Sequence, residues 1–160
     1  MKIVAMSDSH GLREPLEYIQ KAHPDADLFI HCGDLCLPKD FAKGFLIVAG
    51  NCDDPTKLPL AEVAHLEGHS ILILHGHVAF SGTNVNLAGL ARIARRNGCD
   101  VVFFGHSHIY CDEEYEGVRL LNPGSILANR DMTPPSYMVV DLQKNKITAT
   151  RKEYTGTYQM

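Results

Sequence analysis

The sequence predicts an α/β fold, and three features of its 160 residues support that prediction. Short apolar, β-branched runs without alternation are typical of strands that are covered on both faces. Two other segments place apolar residues at helical spacing, as helices that cover such a sheet would. From about residue 109 onward the chain reads as short strands separated by turns. Because no linker rich in Pro, Gly or Ser divides the sequence, we expect a single domain over residues 1–160.

The apolar runs share a second property, since each of them ends abruptly in polar residues. The apolar runs lie at residues 3–6, 28–30, 45–49, 71–74 and 101–104. The polar segments that follow them are, in the same order, SDSHG, HCGD, GNCDD, HGH and GHSH. Ligands of open α/β sheets bind at the carboxyl ends of the strands, so largely parallel runs would bring these polar residues to one rim. The metal-competent side chains expected there are Asp8, His10, Asp34, Asn51, His75, His106 and His108.

Two helices and several later strands complete the expected fold. Residues 12–23 and 86–97 carry apolar residues at helical spacing, and Gly98 suits a left-handed cap at the end of the second helix. The segments IYCDEEYEGVRLLNPGSI, SYMVVDL and KITATRKEY are predicted as strands with intervening turns. Within them, NPGS at residues 122–125 is predicted as a turn.

Composition excludes several classes of protein. The net charge of −4 provides no basic surface for a large nucleic acid. The five cysteines are odd in number and include no C-x-x-C pair, so we expect reduced thiols in a cytoplasmic protein. The opening apolar stretch is short for a signal peptide, and no run approaches the roughly 20 apolar residues of a membrane span. Histidine is unusually frequent, with nine residues, and imidazole is the commonest metal ligand.

The polar clusters predict a metal site more strongly together than singly. Asp-Ser-His is compatible with a helix N-terminus, and Gly-Asp and Gly-Asn are ordinary turn signals. Two His-x-His groups that directly follow buried-looking strands are more specific. Asp, Asn and His ligands without Cys favour Mn, Fe or Zn over calcium or a soft metal. Two such ions about 3.5–4 Å apart, bridged by a carboxylate, are a usual device for phosphoester hydrolysis.

These polar segments contain, in order, SDSHG, GD, GN, HGH and GHSH. Together they resemble the motif series of the calcineurin-like metallophosphoesterases. That series is D-x-H, G-D, G-N-H-[ED], H-G and G-H-x-H. The series extends from Asp8 to His108, and the short chain with its terminal β segment resembles the small single-domain phosphodiesterases of that family. The resemblance implies a four-layer αββα sandwich with two mixed β-sheets. It also implies two divalent transition-metal ions, with Mn²⁺ favoured and Ni²⁺, Fe²⁺ or Zn²⁺ as alternatives.

The same resemblance implies a role for each ligand. Asp34 would bridge the two ions. One ion would be held by Asp8, His10 and His108, and the other by Asn51, His75 and His106. His75 is preferred to His77 because the family's ligand precedes the glycine, which makes His77 a neighbour of the ligands or a contact to substrate. NPGS at residues 122–125 resembles a segment of the small phosphodiesterases that passes near the metals, although a turn is its favoured role.

Two positions depart from the wider family. Cys52 stands where G-N-H-[ED] has a histidine that is often assigned to protonating the leaving group, and Leu37 stands where an aspartate orients that histidine. The small phosphodiesterases commonly show G-N-C-D at this place. A thiol with a pKa of about 8.5 is a poor substitute for imidazole near pH 7. The candidates for direct catalytic roles are Asn51, His77 and Asp53.

The function expected from these features is hydrolysis of a small phosphodiester by attack of a metal-bridging hydroxide. Without a general acid, good leaving groups such as aryl alcohols would be favoured. The alternatives are a phosphomonoesterase and a non-catalytic protein-binding scaffold, because the retromer scaffold subunit has the same compact fold. An intact set of costly-to-desolvate ligands argues against a scaffold. No large nucleic acid and no membrane is expected as a partner, and a homo-oligomer is left open.

Overall fold

The computed structural model describes residues 1–79 and 86–156, in which ten strands form two five-stranded sheets. The predicted domain also includes residues 80–85 and 157–160, which lie outside the described residues. The first sheet has the order β10-β9-β1-β2-β3 and the second the order β4-β5-β6-β8-β7. The strands are β1 Lys2–Met6, β2 Leu28–His31, β3 Phe45–Ile47, β4 Ala61–Leu66, β5 His69–Leu74, β6 Val101–Phe103, β7 Cys111–Tyr115, β8 Val118–Asn122, β9 Ser136–Gln143 and β10 Lys146–Glu153.

Both sheets mix parallel and antiparallel strands. In the first, β1 is parallel to β2, which is parallel to β3, while β9 runs antiparallel to β1. In the second, β5, β6 and β8 are parallel, and the edge strands β4 and β7 are antiparallel to their neighbours. The five apolar runs therefore divide between two sheets rather than forming one. Three of them enter the first sheet and two enter the second, with their carboxyl ends on the same side of the molecule.

Three apolar clusters separate four layers, as the predicted αββα sandwich requires. Strand residues of both sheets, such as Ile3 and Ile73, form the cluster between the sheets. The opposite face of β1 packs Val4 and Met6 in the cluster around helix α1, Glu14–Ala22. The second sheet packs in the same way against helix α2, Leu87–Arg96. Strands with two covered faces need apolar residues at every position, which is why their runs do not alternate.

The two helices occupy the predicted segments, and a 3₁₀ turn at Lys39–Ala42 precedes β3. Asn86 caps α2 by accepting a hydrogen bond from the Gly89 N–H. Strand β4 was not predicted, because it lies at a sheet edge with most of its side chains exposed. Among the described residues, neither helix is long and apolar enough to cross a membrane.

Candidate metal centre

The polar residues that follow β1, β2, β3, β5 and β6 meet at one edge of the sandwich. All seven predicted ligands come together there, from the loops that begin at the carboxyl ends of these strands. The first sheet supplies Asp8, His10, Asp34 and Asn51, and the second supplies His75, His106 and His108. The site is therefore complete only when the two sheets are packed together.

Asp8, His10 and His108 form one group of potential ligands. Oδ1 of Asp8 lies 3.1 Å from Nε2 of His108 and 3.7 Å from Nε2 of His10. The two histidine Nε2 atoms are 3.3 Å apart. One carboxylate oxygen and two imidazole nitrogens thus converge on a volume that is small enough for one cation.

Asn51, His75 and His106 form a second group. Oδ1 of Asn51 lies 3.1 Å from Nε2 of His75 and 3.2 Å from Nδ1 of His106. Asp34 stands between the groups, because its Oδ2 is 3.3 Å from Nε2 of His75 and 3.6 Å from Nε2 of His10. A single carboxylate therefore faces ligands of both groups.

The tautomers of two histidines fit a cation at this place. Nδ1 of His75 donates to the Cys32 carbonyl at 2.8 Å, and Nδ1 of His108 donates to the Ala128 carbonyl at 3.1 Å. Because a carbonyl only accepts, Nδ1 carries the hydrogen and Nε2 of each neutral ring directs its lone pair into the site. Oδ1 of Asp8 is buried there, and no group of residues 1–79 and 86–156 donates a hydrogen bond to it. Converging lone pairs repel one another unless positive charge lies between them.

The carboxylates and imidazoles of the site shift one another's pKa values, in the directions that favour positive charge there. Burial by itself would raise the pKa of Asp8, but the imidazoles of His10 and His108 hold it well below the usual carboxyl value. Burial would lower the pKa of His75, but Asp34 and Asp8 bring it above its ordinary value. Protons on imidazoles thus compete with metal ions, so metal affinity should increase as pH rises through the raised histidine pKa values.

Several of the predicted ligands have an unusual backbone conformation. Five of the ligand candidates have positive φ angles, namely Asp8 at 55°, His10 at 45°, Asp34 at 58°, His106 at 70° and His108 at 56°. This left-handed region is uncommon for residues other than glycine, although Asp and His adopt it more readily than most. Such conformations cluster at functional sites, where the surrounding structure offsets their cost. Here the positive φ angles belong to residues whose side chains face the site.

Asp53 holds the loop that carries Asp34. Its Oδ2 accepts hydrogen bonds from the Asp34 N–H at 2.8 Å, the Gly50 N–H at 2.8 Å and the Leu35 N–H at 3.3 Å. Its Oδ1 accepts one from the Cys36 N–H at 2.9 Å. Both carboxylate oxygens act as acceptors in these bonds, which favours a role for Asp53 in positioning the loops rather than in donating a proton.

The NPGS segment, which begins at the last residue of β8, supports the site from behind, whereas the favoured prediction for it was a turn. The buried Ser125 hydroxyl donates to the Asp8 carbonyl at 2.9 Å. Asn122 Nδ2 donates to the Gly105 carbonyl at 3.2 Å and to the Ser107 hydroxyl at 3.0 Å. The NPGS segment therefore braces two ligand loops at once. Its resemblance to a family segment near the metals was the signal in the sequence, because a turn motif by itself does not reveal long-range contacts.

The remaining five histidines lie at the rim of the site, behind it, or away from it. His77 lies at the rim, with its ring 5.5 Å from that of His75 and 6.3 Å from that of His106. Burial, together with these two imidazoles, lowers its pKa. His31 is fully buried behind the site, where its Nδ1 accepts from the Gly33 N–H at 3.1 Å and its Nε2 lies 2.9 Å from the Ser9 hydroxyl. The other three, His23, His65 and His69, make ordinary hydrogen bonds away from the site.

The expectation that all cysteines are reduced thiols is wrong for two of them. Cys36 and Cys52 form a disulfide, with their Cα atoms 5.9 Å apart. Parallel pairing of β2 and β3 brings the loops after these strands side by side, and residue spacing in the sequence does not reveal that approach. A disulfide sulfur carries no proton, so Cys52 in this form cannot protonate a leaving group. Cys32, Cys99 and Cys111 are free.

The chain is similar in sequence or in fold to several known proteins. The chain is 35% identical over 159 residues to the probable metallophosphoesterase YsnB of Bacillus subtilis, covering 98% of this chain and 93% of YsnB. It is 26% identical over 171 residues to the phosphodiesterase YfcE of Escherichia coli K12, covering 88% of each. The structure of Vps29 from Entamoeba histolytica in complex with Zn²⁺ has a similar fold, with a TM-score of 0.74, 20% identity, and coverage of 95% of this chain and 98% of Vps29.

A family model settles the classification. The model described as the calcineurin-like phosphoesterase superfamily domain matches residues 1–145. This match and the relatives confirm the family, the sandwich fold and the class of metal-dependent phosphoesterase that the motif series predicts. The chain belongs to the calcineurin-like phosphoesterase superfamily.

Proposed function

We propose that the protein hydrolyses small phosphodiesters with two divalent cations, one in each ligand group. The observation that carries this proposal is the position of Asp34, whose Oδ2 lies between His10 of one group and His75 of the other. A carboxylate shared in this way suits two neighbouring cations better than one. Asp8, His10 and His108 would hold the first cation, Asn51, His75 and His106 the second, and Asp34 both.

Two such cations, when bound, supply Lewis acidity and a water of lowered pKa at neutral pH. The residues of the chain would orient the ligands and would supply the negative charge that binds the cations. The carbonyls of Cys32 and Ala128 fix the rings of His75 and His108, so that these ligands need little rearrangement. The donor set of carboxylate, amide and imidazole favours Mn²⁺, with Ni²⁺, Fe²⁺ or Zn²⁺ as alternatives.

The residues around the site also bear on the kind of ester. Cys52 is in a disulfide and Leu37 has no titratable group, so the histidine–aspartate pair of the wider family has no counterpart here. Asp53 is engaged by four backbone N–H groups. Catalysis without a strong general acid should favour phosphodiesters whose leaving group is a good one, such as an aryl alcohol. The name of YfcE, a phosphodiesterase, supports the same class of substrate.

The protein-binding scaffold is the main alternative. The likeness to Vps29 concerns the fold alone at 20% identity, so it adds nothing specific in favour of that alternative. The buried Asp8 and His75, which face one another at 3.7 Å, would have no purpose in a scaffold and would lower its stability. The ligand geometry therefore favours an enzyme.

Hydrolysis of bis(p-nitrophenyl) phosphate tests the proposal. We expect turnover with Mn²⁺, its loss after chelation, its recovery on adding Mn²⁺ back, and slower release from p-nitrophenyl phosphate under the same conditions. The variant His65→Ala, which changes an exposed histidine away from the site, should behave like the wild type. Near-zero metal content without turnover would favour the scaffold, and faster release from the monoester would favour a phosphomonoesterase.

A further inference from the structure

The Cys36–Cys52 disulfide joins the two loops that carry Asp34 and Asn51. Cys36 follows Asp34 by two residues, and Cys52 directly follows Asn51. Asp34 is the shared carboxylate of the proposed site, and Asn51 belongs to only one of its ligand groups. The covalent link therefore lies between a ligand of both cations and a ligand of one.

We propose that Cys36 and Cys52 are a reversible thiol–disulfide site that controls how tightly the Asn51 ligand group binds its metal ion. This inference rests on the proposed two-cation function of the same site. In the oxidised form the loops are tied together, and in the reduced form the tip of the Asn51 loop loses that restraint. Metal affinity at this group is accordingly higher in the disulfide form.

The contacts explain why the effect falls on Asn51. Asp34 stays positioned after reduction, because Asp53 accepts hydrogen bonds from the N–H groups on its loop. Asn51 and Cys52 are exposed, and the described contact that these two residues themselves make with the Asp34 loop, besides the disulfide, is one hydrogen bond from the Cys52 N–H to Asp34 Oδ1 at 3.0 Å. The other hydrogen bonds between the two loops end on Asp53, so they hold the base of the Asn51 loop and not its tip. Residues that position ligands in this way typically change metal affinity by about 10–100-fold when they are lost.

Small redox molecules can reach this pair. Both cysteines are exposed, and they form part of the wall of a cavity of about 710 Å³ that is also lined by Pro38, Asp53 and Leu58. The free cysteines are shielded by comparison, since Cys32 and Cys99 are buried. Burial raises the pKa of Cys111 to about 12, which keeps that thiol protonated and unreactive.

The chemistry balances with ordinary cellular reagents. Oxidation by a peroxide joins the two sulfurs, so that two thiols and hydrogen peroxide give the disulfide and two waters, with two electrons passing to the peroxide. Reduction by a dithiol proceeds through a mixed disulfide, and returns two thiols and the oxidised dithiol. A protein in a reducing compartment would meet both reagents, which makes a reversible couple more suitable there than a permanent crosslink.

Mn²⁺ binding to the two redox forms tests the proposal. Wild-type protein is oxidised with hydrogen peroxide or reduced with a phosphine, freed of reagent, and titrated with Mn²⁺ by calorimetry. Thiols are counted on denatured samples of the same preparations. We expect three thiols in the oxidised form, five in the reduced form, and Mn²⁺ affinity at one of two sites weaker by at least about tenfold after reduction.

Two variants provide the controls. The double variant Cys36→Ser with Cys52→Ser should bind Mn²⁺ like the reduced wild type under both treatments, and Cys111→Ser should keep the full redox response. Five thiols after peroxide treatment, or equal and tight Mn²⁺ affinity in both forms, would overturn this inference and leave the proposed function standing. Failure of both forms to bind Mn²⁺ would overturn the proposed function together with the inference.

Discussion

Asp34 and Asp53 are both carboxylates at the site, but their surroundings give them different tasks. Asp34 directs Oδ2 at the imidazoles of His75 and His10. Asp53 directs both oxygens at backbone N–H groups of two loops. The motif series distinguishes them in another way, with Asp34 as the expected bridging ligand and Asp53 as a candidate for a catalytic role. The positions of the backbone N–H groups, which the sequence does not reveal, favour Asp53 as a residue that positions the Asp34 loop.

This distinction predicts different effects in a series of aryl phosphodiesters of varied leaving-group pKa. Asp53→Asn removes one acceptor oxygen, so we expect Mn²⁺ affinity to fall by about tenfold. The dependence of kcat on leaving-group pKa should stay as steep as in the wild type, because neither form uses Asp53 as an acid. His77→Gln should also leave that dependence unchanged. A steeper dependence in either variant would show that the substituted residue protonates the leaving group.

At the scale of elements, local sequence patterns predicted where helices and buried strands lie, but they did not predict which strands pair with one another. The helices lie at Glu14–Ala22 and Leu87–Arg96, inside the segments 12–23 and 86–97, because helical periodicity is a property of neighbouring residues. The edge strand Ala61–Leu66 was missed, since its exposed positions give no buried run. The disulfide and the division of the strands between two sheets depend on which strands pair, and no local pattern determines that.

The loop after β6 depends on a glycine that has no side chain. A Cβ at Gly105 would clash with the Ser7 hydroxyl and lie 2.8 Å from Oδ2 of Asp8. Ser7 itself donates to that oxygen at 2.6 Å, so the added methyl group would displace Asp8. We therefore expect Gly105→Ala to lower Mn²⁺ affinity and diester hydrolysis by about tenfold or more, without altering any ligand.

Gly98→Ala provides a matched control for that prediction. Gly98 follows α2 with a φ of +67°, and its added Cβ would meet no atom of the described part of the chain within 4 Å. Alanine in this conformation costs about 1 kcal/mol of stability. Thermal unfolding should therefore shift in Gly98→Ala while Mn²⁺ affinity stays at the wild-type level. Normal Mn²⁺ affinity in Gly105→Ala would contradict the packing argument.

At the scale of the whole molecule, a buried histidine behind the site makes stability depend on pH. Burial lowers the pKa of His31 to about 4, from 6.5 in the unfolded chain. Below pH 6.5 the unfolded chain takes up a proton that the folded protein excludes. The contribution of neutral His31 to the free energy of unfolding is therefore fully present above pH 6.5. It is lost as the pH falls toward 4, which lowers the free energy of unfolding by about 3 kcal/mol in total.

Chemical denaturation of the metal-free protein at several pH values measures this effect. In His31→Gln the free energy of unfolding should depend on pH less than in the wild type between pH 6.5 and 4, whatever its absolute stability. His65→Gln, which changes an exposed histidine on β4, should keep the wild-type pH dependence. Identical pH dependence in the wild type and His31→Gln would show that His31 accepts a proton in the folded state.

The complete site spans both sheets, and its central feature is one carboxylate that serves two ligand groups. Asp34 contacts His10 on one side and His75 on the other, whereas His108 belongs to the first group alone. Substitution of the shared residue should therefore affect both cations, and substitution of His108 mainly one. The sequence predicted this set of residues from loop motifs, and the packing of the two sheets explains how they meet.

Metal content after equilibrium dialysis against Mn²⁺ tests this account most directly. We expect two ions per chain in the wild type, mainly one in His108→Ala, and reduced occupancy of both sites in Asp34→Asn. Each variant should be compared at matched folded content, measured by circular dichroism. Retention of two equally tight Mn²⁺ ions in Asp34→Asn would contradict the shared carboxylate and, with it, the two-cation site.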